Sequence, residues 1–196
     1  NGEQYLLNWS GQSTPLTTDE KKIQYISAKI TAKQSKLNFY VDFGSNINTV
    51  DLVKDGVISD TRSMSHDTEV FWSGSQTKYT NRNNVAPGWK VIINRSGHYF
   101  NKEKPNKYIT YSNTVGVGQL SLGFKCNNET ECANAMSYFT AKLIVWFMQV
   151  NKTNGFNEHV RKLPLIDFTR TWTDSELYAH FGLTQEEIDY VESTVK

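Results

Sequence analysis

The chain has 196 residues, enough for one well-packed core with a small appendage or for two modest domains. Its formal net charge is only +1, so the total charge does not point to any class of partner. The two cysteines, Cys126 and Cys132, have a spacing that suits neither a zinc knuckle nor a redox pair. With no signal peptide and no disulfide framework, we expect a cytoplasmic protein. Because the sequence begins at Asn1 without an initiator Met, we also expect a piece of a longer protein.

Helix and strand signals alternate in the first two thirds of the chain. Thr17 followed by Glu20 is a capping box, and isoleucines at helical spacing after it predict a helix over about 18–33. Asp55-Gly56 is a hairpin-turn signal, and the polar segment 74–88 is typical of a loop. Short runs rich in branched and aromatic residues predict strands. These strands are expected at 37–43, 69–72, 89–95, 108–111 and 119–125.

The most apolar stretch of the chain runs from Glu129 to Val150. Its apolar residues recur every three or four positions, which predicts one long helix that is buried on more than one side. Asn128 is suited to cap the N-terminus of this helix. Glu131 and Lys142 interrupt the stretch, which argues against a membrane span. The expected contacts with a strand join Met136, Leu143 and Phe147 to Val91 and Ile93.

A short helical tail is expected to close the chain. One helical turn is predicted before Pro164, and Thr173 and Thr184, each followed three residues later by Glu, form two further capping boxes. The sequence therefore predicts an α+β fold, in which a twisted, mostly antiparallel sheet packs on a central long helix. We divide the chain into a main domain, residues 1–163, and a C-terminal helical tail, residues 164–196, packed on it.

The small net charge hides a strong asymmetry along the chain. Residues 78–107 carry seven basic side chains against one acid, Glu103, which gives a net charge of +6. Residues 174–192 carry six acids and no Lys or Arg, which gives −6. Acids repel phosphates, so any nucleic acid is expected on the basic side, away from the tail. The tail is expected to be a structural cap with a solvated acidic face; the alternative is a protein-interaction module.

The basic segment interleaves aromatic and Asn side chains with its charges. Lys and Arg neutralise phosphates, Arg and Asn can read base edges, and aromatic rings can stack on unpaired bases. The same composition fits a solvated loop face whose aromatic rings turn towards the core, so composition alone leaves both interpretations open. The candidate DNA-binding residues are Lys78, Tyr79, Asn81, Arg82, Asn83, Asn84, Arg95, His98, Lys102, Lys104 and Lys107.

Catalytic motifs are weak in this sequence. The four histidines do not have metal-ligand spacing, and we predict neither catalytic residues nor metal ligands. The segment 116–118 (Gly-Val-Gly) lacks the third glycine of a cofactor loop and favours a hinge or bulge before a strand. Asp60, Asp67 and Glu69, with Lys78 nearby, leave a metal-dependent nuclease as an alternative function.

Three segments carry a resemblance to a known family. Trp89–Asn94 (WKVIIN), Ser137–Leu143 (SYFTAKL) and Leu163–Phe168 (LPLIDF) are similar to a strand, a helix and a closing segment of that family. The closing segment continues with Trp172-Thr173-Asp174, Leu177-Tyr178, Phe181 and the predicted helix over Thr184–Glu192. From about residue 72 onwards the chain resembles the C-terminal target-recognition domain of restriction-modification DNA methyltransferases that modify adenine N6.

The resemblance implies a recognition function without catalysis in this span. The Asn-Pro-Pro-Tyr motif that holds the target adenine in that family is missing, and so is the Phe-x-Gly-x-Gly motif that binds S-adenosylmethionine. The resemblance therefore implies that residues 1–163 recognise double-stranded DNA in a sequence-specific way. The catalytic domain would lie elsewhere in the parent chain, with S-adenosylmethionine as its cofactor and none bound in this span.

Overall fold

A computed structural model gives the structure of most of the chain. It describes residues 5–7, 13–15, 17–32, 35–43, 49–74, 76–82, 85, 88–100, 102–152 and 155–195, with the backbone alone described at 5–7, 13–15 and 105. Its α-helices are α1 (Thr18–Thr31), α2 (Thr49–Lys54), α3 (Glu129–Thr140), α4 (Lys142–Val150), α5 (Asp174–His180) and α6 (Gln185–Thr194). Two 3-10 turns are Pro105–Lys107 and Glu158–Lys162.

The strands of the described residues form one short pair and two larger sheets. They are β1 (Tyr5–Leu7), β2 (Ser13–Pro15), β3 (Phe39–Tyr40), β4 (Ile58–Ser59), β5 (Thr68–Ser73), β6 (Gln76–Thr80), β7 (Lys90–Asn94), β8 (Ile109–Ser112), β9 (Gly116–Val117) and β10 (Ser121–Lys125). The central sheet has the order β3-β10-β7-β8 and is antiparallel throughout. The second sheet has the order β4-β6-β5-β9, with only β5 and β9 parallel. This open, mostly antiparallel arrangement confirms the predicted α+β class.

Each of the larger sheets contributes to its own hydrophobic core. The large core combines the central sheet with residues of α1, α3, α4, α5 and α6. Val91, Ile93, Leu143 and Phe147 all belong to it, and Met136 packs against it, so the residues predicted to join helix and strand share one core. The small core consists of Phe43, Leu52, Ile58, Val70, Trp72 and Val85.

Local sequence signals fix several helix starts. Thr17 accepts a hydrogen bond from the Glu20 N–H (3.2 Å), and its own N–H donates to the Glu20 carboxylate (2.8 Å), so the predicted capping box starts α1. The same reciprocal pattern is present at Thr173 and Thr184. The Asn128 side chain accepts from the backbone N–H three residues later and caps α3 as expected.

Three predictions for the first half of the chain are corrected. The polar segment 74–88 contains a strand, β6, because its residues pair with β5 and its alternate side chains are buried. Asp55-Gly56 is no hairpin: it follows α2, and Gly56 has the positive φ of 65° that often ends a helix. The strand predicted over 37–43 is only two residues long, because only Phe39–Tyr40 pairs with β10.

The predicted helix over 129–150 is two helices. Ala141 has an extended backbone (φ −59°, ψ 143°), which ends the hydrogen-bond ladder of α3. The N–H of Lys142 donates instead to Oδ1 of Asp174, 2.6 Å away and at the start of α5. Neither Gly nor Pro occurs in this stretch, so nothing local marks the break. A tertiary contact from the tail provides the cap that starts α4.

The tail docks on the rest of the chain through the residues that carry the family resemblance. The carbonyl of Phe168 accepts a hydrogen bond from the buried Asn134 amide (2.9 Å), and the Trp172 N–H donates to the Ser137 hydroxyl (2.9 Å). The Trp172 indole N–H donates back to the carbonyl of Asp167 (2.7 Å). Phe168, Trp172, Leu177, Tyr178 and Phe181 all belong to the large core. The closing motif therefore has a packing role, and the domain boundary at residue 163 stays a prediction.

Strand β9 and its neighbours join the two larger sheets. The Val117 N–H donates to the Asp42 carboxylate (2.7 Å), and the Asp42 N–H donates to the Val117 carbonyl (3.0 Å). On the other side, the Gly118 N–H and the Ser121 hydroxyl both donate to the carbonyl of Phe71, each at 2.9 Å. This Gly-Val-Gly segment is therefore a tightly hydrogen-bonded connection between the two sheets.

We predict that Gly118→Ala destabilises the fold much more than Gly116→Ala. A Cβ at Gly118 would lie 2.7 Å from the Phe71 carbonyl oxygen and 2.8 Å from the Trp72 Cα, and backbone atoms cannot move aside cheaply. At Gly116 the nearest atom is a side-chain methyl at 3.2 Å. Overpacking of this kind costs about 1–3 kcal/mol. Urea unfolding measures both values, and equal losses for the two variants would contradict the close approach described here.

Candidate nucleic-acid interface

The candidate DNA-binding residues fall into two groups. The first group lies on β6 and just after it, at residues 78–82. The second lies in the basic loop, which we define as residues 95–108 between β7 and β8. Asn83 and Asn84 lie outside the described residues.

Lys78 is an internal residue. Its side chain is largely buried, and its ammonium group pairs with the carboxylate of Asp60 and lies 5.8 Å from the centre of the Trp72 ring. Lys90, which also contributes to the charge of the basic segment, is fully buried, and burial lowers its pKa. Lys78 is therefore covered and paired with an exposed carboxylate, and its role as a DNA contact stays a prediction.

The other residues of the first group are partly engaged. Tyr79 is half-buried in the second sheet, and the Asn81 amide donates to the carbonyl of Gly56 (3.0 Å). The Arg82 guanidinium lies 5.2 Å from the centre of the Phe43 ring, at the edge of the small core. Cation–π packing of this type holds the side chain against the protein. The group therefore presents less charge to a ligand than its composition suggests.

Arg95, at the start of the basic loop, is also engaged inside the molecule. Its guanidinium pairs with the Glu158 carboxylate and donates to the carbonyl of Gln119 (3.3 Å). It also lies 6.0 Å from the centre of the Phe156 ring. Burial raises the pKa of Glu158, but Arg161 and Arg95 together hold it below its ordinary value. Arg95 therefore ties the loop base to the chain, and its assignment as a DNA contact stays a prediction.

The base of the basic loop is held by a buried network. The Asn94 amide donates to the carbonyl of His98 (2.7 Å), and the Asn157 amide donates to the carbonyl of Asn94 (2.8 Å). The buried Tyr99 hydroxyl donates to the carbonyl of Phe139 in α3 (3.0 Å). These contacts fix the first residues of the loop, up to Tyr99, to β7, to Asn157 and to α3, so the following loop residues extend from an anchored support.

The exposed part of the basic loop carries the charges that can reach a ligand. Lys102, Lys104 and Lys107 are all exposed, and the Lys107 ammonium lies 5.3 Å from the centre of the Tyr108 ring. His98 is exposed and its ring lies 5.5 Å from the same tyrosine ring. The geometry thus brings together four of the predicted residues in one loop: His98, Lys102, Lys104 and Lys107.

A cavity of about 570 Å³ opens beside the basic loop. Its walls come from that loop, from the break between α3 and α4, and from the tail. The lining residues are Phe100, Lys102, Asn106, Met136, Thr140, Lys142, Val145, Asp174 and Val195. Of these, only Lys102 was among the predicted site residues. The others are far apart in sequence, and no local signal marks them.

The acids of the nuclease alternative do not form a metal site. Asp60 pairs with Lys78, whereas Asp67 and Glu69 line a separate cavity of about 270 Å³ together with Arg62. Across the described ranges, no group of three or more His, Cys, Asp or Glu side chains is arranged to hold a metal ion. The structure therefore adds nothing in favour of a metal-dependent nuclease.

Part of the acidic tail is paired with bases from elsewhere in the chain. Glu186 pairs with Lys22 of α1 (2.8 Å), Glu187 with Lys29 of α1 (2.6 Å), and Glu192 with Lys142 of α4. Burial raises the pKa of Glu187, but Lys29 and Thr184 hold it below its ordinary value. Three of the six tail acids thus form ion pairs with α1 and α4, while Glu186, Asp189 and Glu192 stay exposed to solvent.

Comparisons with known proteins give no relative. No family model matches the chain, and no curated protein or solved structure matches it. Each helix in the described part of the chain is too short or too polar to cross a lipid bilayer. The resemblance to methyltransferase recognition domains therefore stays a prediction.

Replacing Lys29 by Met tests the attachment of the tail. The Lys29 ammonium donates to Glu187 and to the carbonyl of Gly182 (2.9 Å), at a place where both side chains of the pair are partly buried. We expect the unfolding free energy to fall by about 1 kcal/mol, since solvent weakens partly exposed pairs. Lys21→Met, at an exposed position on α1, is the control and should change it by less than about 0.5 kcal/mol. Equal losses of unfolding free energy for Lys29→Met and Lys21→Met would show that the Lys29–Glu187 pair does not anchor the tail.

The stability of the tail should depend on acid pH. Hydrogen bonds from the Thr173 N–H and hydroxyl, and from Arg170, lower the pKa of Glu176 from 4.5 to about 2. The unfolded chain binds this proton more readily, so the stabilising contribution is complete above pH 4.5 and is lost as the pH falls towards 2. Glu176→Gln keeps the capping pattern but cannot titrate. Urea unfolding between pH 4.5 and 2 should show that the unfolding free energy falls more steeply with pH in the wild-type chain than in Glu176→Gln. Equal slopes for the two chains would contradict the lowered pKa of Glu176.

Proposed function

We propose that this chain is a sequence-specific double-stranded DNA recognition module. The parent protein would be a restriction-modification adenine-N6 DNA methyltransferase, whose catalytic domain and bound S-adenosylmethionine lie outside this span. The observation that carries the proposal is the basic loop, in which three exposed lysines extend from a rigid base. Loops on a rigid scaffold are the usual carriers of recognition, and lysines supply the phosphate contacts that position a protein on a duplex.

The basic loop also offers groups that can discriminate between bases. His98 and Asn106 are exposed beside the lysines, and an Asn side chain can bond an adenine edge through two hydrogen bonds. The remaining candidates near β6, Asn81 and Arg82, are placed to extend the same surface only if the DNA reaches the second sheet. Phosphate contacts through the lysines would set the position of the duplex, and His98 and Asn106 would read it.

The ion pairs of the tail also favour the basic loop as the DNA-binding surface. Lys22, Lys29 and Lys142 each pair with a tail acid, so these bases attract phosphates little. The basic loop adds three exposed lysines in a short segment, which is a local concentration of positive charge that favours a phosphate backbone.

Replacing Lys102, Lys104 and Lys107 together by Ala tests the proposed function. We expect the affinity of the full chain for duplex DNA to fall by roughly tenfold or more, and the slope of log affinity against log salt to fall by about 1 per lysine. Fluorescence anisotropy with a labelled duplex at several salt concentrations measures both quantities.

The matched control replaces Lys21, Lys54 and Lys162, three exposed lysines outside the basic loop, with the same loss of charge. Its affinity and salt slope should stay close to those of the wild-type chain. An equal loss in the control would show that the effect is one of total charge and would remove the basic loop as the binding surface. No binding of the wild-type chain to duplex DNA at low salt would overturn the proposed function.

A further inference from the structure

We propose that the cavity beside the basic loop binds one unpaired nucleotide, with its base inside the cavity and its phosphate at Lys102. In DNA this would be a nucleotide that has left the base stack, and that part of the inference rests on the proposed function. A free mononucleotide presents the same chemistry. The volume of about 570 Å³ lies in the range of small-ligand sites and exceeds what one base requires.

The walls of the cavity suit a flat aromatic ring. Phe100 is half-buried at the loop side, and Met136, Val145 and Val195 provide apolar surface on the helix side. Phe100 comes directly after Tyr99, whose buried hydroxyl is bonded to α3, so its backbone is held in place. A base that stacks on an anchored aromatic ring gains affinity whatever its sequence. The cavity walls therefore provide affinity that does not depend on which base is bound.

One polar group in the wall can select among bases. Oδ1 of Asp174 accepts the Lys142 N–H (2.6 Å), while its second oxygen accepts no hydrogen bond from the residues that the structure describes. A carboxylate oxygen accepts well from an exocyclic amino group, which adenine, cytosine and guanine have and thymine lacks. Thymine offers only its N3–H, and the two carbonyl oxygens beside that donor would be repelled by the negative charge. The cavity should therefore disfavour thymine.

The charges also fix the orientation of the nucleotide. A phosphate inside the cavity would meet the Asp174 carboxylate, and Lys142 is already paired with Glu192. Lys102 is exposed at the rim and makes no ion pair with the described residues. The phosphate therefore belongs at the rim, and the base belongs inside. Lys102 would then serve both the duplex surface and the cavity.

The first test compares two duplexes that differ by a single unpaired adenosine bulge. The full wild-type chain should bind the bulged duplex at least about fivefold more tightly than the fully paired one, which is the lower end of what one stacked base contributes. Phe100→Ala removes the stacking ring, and Val195→Trp fills the cavity; both should abolish this preference but keep the affinity for paired DNA. Equal affinity of the wild-type chain for both duplexes would overturn the inference and leave the proposed function intact.

The second test uses free dAMP, dCMP and dTMP and does not require DNA binding. Equilibrium dialysis should show the wild-type chain binding dAMP and dCMP more tightly than dTMP. Asp174→Asn keeps an oxygen for the Lys142 N–H and replaces the second oxygen by a donor, so this preference should reverse. Asp189→Asn, with the same charge change on an exposed residue of α6, is the control and should leave it unchanged.

The two tests separate the possible failures. If the chain binds mononucleotides in this pattern but does not bind DNA, the cavity takes free nucleotides and the proposed function fails. Mononucleotide binding that Val195→Trp does not reduce would place it elsewhere and overturn the inference. If the wild-type chain neither prefers the bulged duplex to the paired one nor binds dAMP and dCMP more tightly than dTMP, the inference is likewise overturned. Urea unfolding of each variant confirms that a lost preference does not come from an unfolded chain.

Discussion

The structure depends on the hydrogen bond between the Lys142 N–H and the Asp174 carboxylate. It caps the start of α4 at the point where Ala141 interrupts the helical ladder, and it ties the tail to the central helices at the same place. Leaving the Lys142 N–H without a partner at a helix start would cost free energy of folding. The break between α3 and α4 therefore needs Asp174 of the tail, and the same hydrogen bond holds the tail in place. The cavity beside the basic loop opens at this junction, which is why residues of three distant segments line it.

Charge in this protein is arranged to hold the fold together more than to attract a ligand. Lys78 and Arg95 pair with acids of neighbouring segments, and the acids of the tail pair with α1 and α4. A segment with a net charge of +6 in the sequence therefore presents far less positive charge to solvent. The exposed lysines of this segment, Lys102, Lys104 and Lys107, all lie in the basic loop. This group of lysines is better evidence for a binding surface than the net charge of the segment, because the lysines lie together in one loop that is anchored to the core.

The residues that resemble methyltransferase recognition domains mostly pack. Phe168, Trp172, Leu177 and Phe181 are buried in the large core, and their resemblance describes how the tail docks. The tail also contributes Asp174 and Val195 to the cavity beside the basic loop, so it both packs on the core and shapes that cavity.

The sequence by itself determined the features that depend on near neighbours. The capping boxes at Thr17, Thr173 and Thr184, the strand at β7 and the burial of the apolar stretch after Glu129 all follow from residues within a few positions of each other. Tertiary structure decided the rest. Pairing with β5 makes a strand of the polar β6, and Asp174 breaks a helix that contains no helix-breaking residue. Partners far along the chain also decide which basic side chains are left for a ligand: Asp60 and Glu158 neutralise Lys78 and Arg95, while Lys102 stays exposed. The physical reason is that hydrogen bonds and ion pairs act over a few ångströms, and distances between remote segments exist only once the chain has folded.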